Sequence, residues 1–354
     1  MADFMNGLTL NQLFYEEIVF PILQSYFPDL RYSAALIGWG SEVLGYDDIQ
    51  STDHNWGPRF QLFLDKQHCQ KYHKSILDVL NDHLPSEFCG YPTAFPIVAN
   101  DVTGPLKYNI DVETISDFFS RYLGCDPNQE INAADWLTFS EHKLLAITSG
   151  KVFYDGLEEL ESIRQKFRYY PKDVWLYMLA AQWAKISEEQ AFVGRCGYVG
   201  DELGSILIAA RQVKNLMRLC FLMERKYAPY SKWFGTAFNH LDCAQELDPI
   251  FMQILQAQEW RARQEFLARA YEITARMHNS LGVTIPLKES AAPYHGRPYL
   301  VVGDDRYVEE LKKSVISEKV RNIRHDLGSV NQFIDSNDQL NHLDLQKKLK
   351  KLYT

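Results

Sequence analysis

The chain has 354 residues, of which 46% are hydrophobic and 13% aromatic, with a formal net charge of −9. So much apolar material fills cores and excludes a disordered chain, and the length suggests two domains. The acidic balance argues against broad nucleic-acid binding, leaving small substrates or a defined macromolecular partner.

The first predicted element is an amphipathic helix near residues 9–25, where Leu10, Leu13, Phe14, Ile18 and Ile22 recur at helical spacing in place of a basic leader. Tyr32 to Ile37 reads as a buried strand that leads into a Gly-rich turn, and Phe60 to Leu64 as a second strand. Lys66 to His83 carries Ile76, Leu77 and Leu80 at helical spacing. Phe95 to Ala99 and Tyr108 to Thr114 read as further strands, the latter alternating Tyr108, Ile110 and Val112 against Asn109, Asp111 and Glu113.

From Asp135 onward the pattern is helical. Asp173 is a plausible N-cap for the run beginning Val174-Trp175. In the helix expected from Asp201 to Tyr227, Leu203, Ile206, Leu207, Ala210, Val213, Leu216, Met217 and Cys220 form one apolar stripe, and Pro229 stops it. More helix is expected from Pro249 to Leu281. A loop-rich segment at 284–305, with a short strand at Tyr299 to Val302, precedes a helix near Val308 to Ile323 and a lysine-rich end read as a solvated terminus. Six scattered cysteines, at 69, 89, 125, 196, 220 and 243, form no zinc-site spacing and fit reduced thiols, and no apolar run is long enough to span a bilayer. A cytoplasmic protein is expected.

The stretch from Ala34 to Asp65 carries the densest signal. Gly40-Ser41 ends the first strand, Ser51-Thr52-Asp53-His54-Asn55 follows after a short loop, and the strand Phe60 to Leu64 comes next. That order resembles the active-site entrance of the DNA polymerase β-type nucleotidyltransferase superfamily. The wider runs Gly45-Tyr46-Asp47-Asp48, Trp56-Gly57-Pro58-Arg59, Trp136-Leu137, Gly150 to Asp155, Tyr170 to Trp175, Gly194-Arg195, Gly200-Asp201 and Tyr227 to Gly235 resemble an uncharacterised bacterial family of nucleotidyltransferase-like proteins, known mainly as a domain of unknown function. The resemblance covers most of the chain. It implies an α+β fold, with a small mixed-sheet nucleotidyltransferase domain over residues 1–130. A C-terminal helical bundle over 131–354 follows, in a layout similar to antibiotic nucleotidyltransferases.

For single residues the resemblance implies that Gly40 and Ser41, with Ser51, cradle a triphosphate, ATP being the expected donor. Asp53 would ligate Mg²⁺ or Mn²⁺, although an Asp in a Ser-Thr-Asp run also caps turns. Asn55 stands where the family usually has a second Asp. It is either a weaker ligand or a hydrogen-bonding turn residue. The charge it lacks is worth roughly 4 kcal/mol at about 4 Å and an effective dielectric near 20, before solvation and rearrangement consume part of it. Arg59 would meet phosphate or form a structural ion pair. The third carboxylate of such sites would be Asp111, with Glu113 as understudy, unless the two are a solvent-facing acidic pair. In the helical half, Asp201 or Glu202 would act as general base, or Asp201 as an N-cap; Arg195 and Lys232 would neutralise the triphosphate or form salt bridges. His54, His240 and His278 read as structural. Gly38-x-Gly40 lacks a third glycine, since Val43 holds that position, and no Gly-Lys-Ser/Thr is present.

These readings lead to metal-dependent transfer of a nucleoside monophosphate to the hydroxyl of an unknown acceptor. The alternatives are a catalytically reduced nucleotide-binding or regulatory protein, and a protein- or RNA-modifying nucleotidyltransferase.

Overall fold

The computed structural model describes residues 4–53, 56–96, 106–303 and 305–354. The chain forms two compact units, one comprising Met1–Ile131 and Lys143–Arg168, the other Asn132–His142 and Tyr169–Thr354.

The first unit is built on five strands: β1 (Tyr32–Leu36), β2 (Arg59–Leu64), β3 (Ala94–Pro96), β4 (Leu106–Glu113) and β5 (Lys151–Asp155), in the order β3-β4-β2-β1-β5. The sheet is mixed. β1 lies antiparallel to β2 and to β5, β2 parallel to β4, and β3 antiparallel to β4. The return of Lys151–Asp155 to β1 places residues 143–168 in this unit, which a division at 130 and 131 does not foresee, because the pairing partner lies over a hundred residues upstream.

Both faces of the sheet are covered, as near-continuous apolar strands require. On one, Phe60 meets Phe14 of α1 (Gly7–Phe14) and Tyr15, with ring centroids 6.3 and 5.8 Å apart. The expected helix near 9–25 is α1, a short π-helical stretch at Tyr15–Val19 and a further stretch of α-helix at Phe20–Tyr26. Between β1 and β2 lies the four-residue α2 (Ser41–Leu44); between β2 and β4 the chain crosses over through α3 (Lys66–His83), which Asp65 caps at the His68 N–H, 2.9 Å. On the opposite face, α4 (Ile115–Tyr122) packs Phe118 against Phe63, centroids 5.5 Å apart.

The second unit is helical. The helix Lys172–Glu189 is buried along most of its length, and its Trp175 Nε1–H donates to the Leu222 carbonyl at 2.7 Å. Later in the chain come α5 (Phe192–Tyr198), α6 (Glu202–Met223) and, after two intervening helices at Phe234–Phe238 and Ala244–Gln256, α7 (Trp260–Ser280). α5 approaches α7 closely because Gly197 has no Cβ; one built there would lie 2.0 Å from Trp260. The helical stretch expected from Pro249 to Leu281 is two helices, Ala244–Gln256 and α7, with Pro249 tolerated in the first helix's early turns.

Two expectations for this unit are corrected. Leu203, Ile206, Leu207 and Ala210 of α6 are exposed, and the buried residues of that helical half are Ser205, Ala209, Gln212 and Val213. The lysine-rich end is docked: Lys350 pairs with Asp135, and the buried Tyr353 donates to the Gly328 carbonyl at 2.8 Å. An apolar anchor among lysines outweighs the solvation of its neighbours.

Candidate functional site

The sheet fixes the geometry of the site. β1 ends at Leu36 and β2, antiparallel to it, starts beside that end, so the turn Gly38-Trp39-Gly40-Ser41 and the chain entering β2 lie at one end of the central strands. The register pairs Ala35 with Gln61 and Gln61 with Asp111, which puts these three on one face. Gln61 is buried and accepts from the Ile37 N–H at 3.1 Å, tying the start of the turn to the middle of the sheet.

Glycine is required in the turn. Gly38 and Gly40 have φ of +87° and +122°, and a Cβ at Gly40 would lie 2.3 Å from both Arg59 Nη2 and Glu42 Oε2. Those two atoms belong to an ion pair beneath the turn. The Arg59 Nε–H donates to Glu42 Oε1 at 2.8 Å, its Nη2 contacts the same oxygen, and Nη2 also donates to the Trp39 carbonyl. Glu42 is 2% exposed, a burial that an ion pair with further hydrogen bonds can sustain. Arg59 is thus held inside, where it fixes the turn.

Outside the turn stands Trp39, 48% exposed, its ring edge against Tyr122 with centroids 4.9 Å apart. Lys143, on the helix Glu141–Thr148, brings its ammonium to 6.0 Å from the Trp39 centroid and 5.7 Å from that of Tyr122. Burial lowers the Lys143 amine to about 8. Burial also raises the Tyr122 phenol, against the opposing charge of Arg59. Sequence reasoning missed Trp39, Glu42, Tyr122 and Lys143. The one local signal was a tryptophan between two glycines.

The other expected site residues fall as follows. Of Asp53 the backbone is described, closing a short 3₁₀ turn at Ile49–Asp53; Asn55, with His54, lies outside the described residues. Ser51 belongs to that same turn, its N–H and hydroxyl both bonded to Asp48. Asp111 is exposed. Glu113 pairs with Arg121 at 2.5 Å, and burial raises its carboxyl, with the charges of Asp111 and Asp117 acting in the same direction.

In the helical unit, Asp201 caps α6 through the Gly204 N–H at 2.8 Å, and Glu202 pairs with the buried Arg263 at 3.0 Å. Lys232 is exposed beside the ring of Trp233, and Arg195 is exposed on α5. His278 is buried between the Trp183 indole N–H and Thr284, each 3.1 Å away, and burial lowers it to about 4. Among the described residues, no group of three or more His, Cys, Asp or Glu is placed to hold a metal, and no helix is long and apolar enough to cross a membrane. A cavity of about 420 Å³ opens beside α2, lined by Thr9, Gln12, Glu42, Asp47 and Lys151 among others. Two carboxylates against one amine suit a triphosphate poorly.

Residues 136–234 match a family model described as a domain of unknown function (DUF4037). The matched stretch contains Lys143, Arg195, Asp201, Glu202 and Lys232 and stops short of the whole region 38–113. The solved structure of a nucleotidyltransferase-like protein from Exiguobacterium sibiricum 255-15 is similar over 78% of this chain and 78% of that one, at 10% identity and a TM-score of 0.35. No curated protein matches the chain.

Proposed function

We propose that the sheet unit binds a nucleoside triphosphate, expected to be ATP, and transfers its nucleoside monophosphate to an acceptor hydroxyl. The observation that carries this reading is the meeting, at one end of the central strands, of the Gly38–Ser41 turn, the chain that enters β2 at Arg59, and the strand bearing Asp111. The Gly40 and Ser41 N–H groups and the Ser41 hydroxyl would hold phosphate oxygens, the Gly38 N–H being bonded to the Ala146 carbonyl, with the Lys143 ammonium balancing their charge. The acceptor oxygen attacks the α-phosphorus, the bond to the β-phosphate oxygen breaks, and pyrophosphate leaves. The hydroxyl proton passes to the Asp111 carboxylate. An all-oxygen donor set of Asp53 and Asp111 suits a hard cation, Mg²⁺ or Mn²⁺, which when bound neutralises phosphate charge. Glu113 fits this role poorly while Arg121 holds it.

The second reading, a nucleotide-binding protein with reduced catalysis, is favoured by the engagement of Asp201 as a cap and of Glu202 in an ion pair, and by the amide at Asn55. Both readings require nucleotide binding. Calorimetry with ATP and GTP, each with Mg²⁺ and Mn²⁺, should give binding that Asp111→Asn weakens in a metal-dependent way. No binding by either nucleotide removes both readings. Transfer of labelled nucleotide to small-molecule, protein or RNA acceptors separates the first from the second.

A further inference from the structure

Trp39 stands between Gly38 and Gly40, in the turn to which the proposed function gives the phosphates, and its indole is nearly half exposed. Its surroundings hold it there. The Trp39 carbonyl accepts from Arg59 Nη2, and the indole meets the Tyr122 ring edge to face, the two planes 80° apart. Tyr122 is fixed in turn: it stacks on Phe118 with centroids 5.4 Å apart and planes 9° from parallel, and Phe118 packs on Phe63 of β2. The indole is therefore a pre-set surface, and a ligand laid on it orders little that is not already ordered.

The charge beneath the ring narrows the occupant. An exposed tryptophan accepts either a cation or a flat aromatic group on its open face. Here the buried Lys143 ammonium already lies 6.0 Å from the indole centroid, so a second cation on the same ring would be repelled, whereas a neutral base would not. The inference rests on the nucleotide reading of the turn: the group bonded to phosphates held at Gly40 and Ser41 is then a nucleoside, and Trp39, one residue away, offers it an aromatic face. A purine covers more of an indole than a pyrimidine does, and stacking strength alone sets such preferences. We propose that the outer face of Trp39 stacks the purine base of the bound nucleotide and sets the base preference of the site.

Calorimetry on the full chain with Mg²⁺ and three probes, ATP, CTP and inorganic tripolyphosphate, tests this. ATP should bind more tightly than CTP, and Trp39→Ala should weaken ATP about tenfold more than it weakens tripolyphosphate, the size of loss that removing a base–aromatic stack brings. Trp39→Phe keeps an aromatic face and should recover most of that difference. Should Trp39→Ala fold poorly, fluorescence decides: ATP should quench tryptophan emission in the unaltered protein and not in Trp39→Phe. An equal loss for ATP and tripolyphosphate in Trp39→Ala, or a quench that persists in Trp39→Phe, overturns the stacking role and leaves the nucleotide reading standing. CTP bound as tightly as ATP overturns the purine preference. No binding of ATP by the unaltered protein removes the nucleotide reading, and the inference with it.

Discussion

The turn at Gly38–Ser41 and the turn at Gly200–Glu202 share a local design, a glycine at positive φ leading into a helix, and they differ in what happens to the nearby charges. At Gly200 the helix start is filled by its own side chains: Asp201 caps it and Glu202 is taken by Arg263. At Gly40 the residue before the helix has no side chain to cap it; beneath the turn Glu42 is neutralised by Arg59, and the exposed Trp39 stands over the buried Lys143. A turn over a neutralised carboxylate, with one ammonium beside it, is better disposed to accept an anionic ligand than a self-capped helix. On the proposed function, phosphate chemistry falls to the sheet unit, while Asp201 caps a helix and Glu202 is held in an ion pair.

The most severe way to break this contrast is Gly40→Ala. The new methyl would collide with both members of the Glu42–Arg59 pair at a φ that L residues rarely adopt, so the variant should lose about 3 kcal/mol in urea unfolding together with nucleotide binding. Unfolding like that of the native protein would show that the pair does not hold the turn.

A second test addresses the helical unit by pH. His278 is lowered to about 4 from 6.5, so the unfolded chain takes up a proton that the folded chain refuses between those values. Stability therefore falls as pH drops through this window, by about 3 kcal/mol when complete at roughly 1.4 kcal/mol per pH unit. His278→Asn should flatten the slope seen in denaturation between pH 6.5 and 4, and leave binding at the sheet unit unchanged.

Lys143→Met probes the cation at the turn. Its amine is lowered to about 8 from the usual 10.5, because burial disfavours the charged form. Triphosphate affinity should fall about tenfold, equivalent to about 1.4 kcal/mol. In the unaltered protein, affinity should decline as pH rises through 8, because the amine loses its charge there. Affinity that is flat with pH and indifferent to the substitution removes Lys143 from the site.

These residues also mark what the sequence made legible. The strands at Tyr32, Phe60 and Tyr108 announced themselves by apolar runs and alternation, and the turn by Gly40-Ser41, since all of these are local. The Glu42–Arg59 pair and the approach of Lys143 to Trp39 depend on sheet register and helix packing, which no spacing in the chain encodes. On α6 Leu203, Ile206 and Leu207 repeat as a core stripe would and yet are exposed, because periodicity says which residues share a face and not whether that face is covered. The return of Lys151–Asp155 to β1 was illegible for the same reason of distance.

The smallest expected effect sharpens the comparison most cleanly. Asp201 accepts from the Gly204 N–H at the start of α6, so Asp201→Ala removes one satisfied donor and should cost about 1 kcal/mol of stability. Asp201→Asn and Asp201→Ser keep a side-chain oxygen in place and should recover most of that loss. If the residue were instead a general base, Asp201→Asn would be the damaging change for turnover, because an amide keeps the cap and abolishes proton acceptance. The stability and turnover of Asp201→Ala and Asp201→Asn therefore separate the two roles: a cap predicts loss of stability in the first alone and nucleotide turnover unchanged in both, whereas turnover lost in Asp201→Asn at native stability would move a catalytic function into the helical unit.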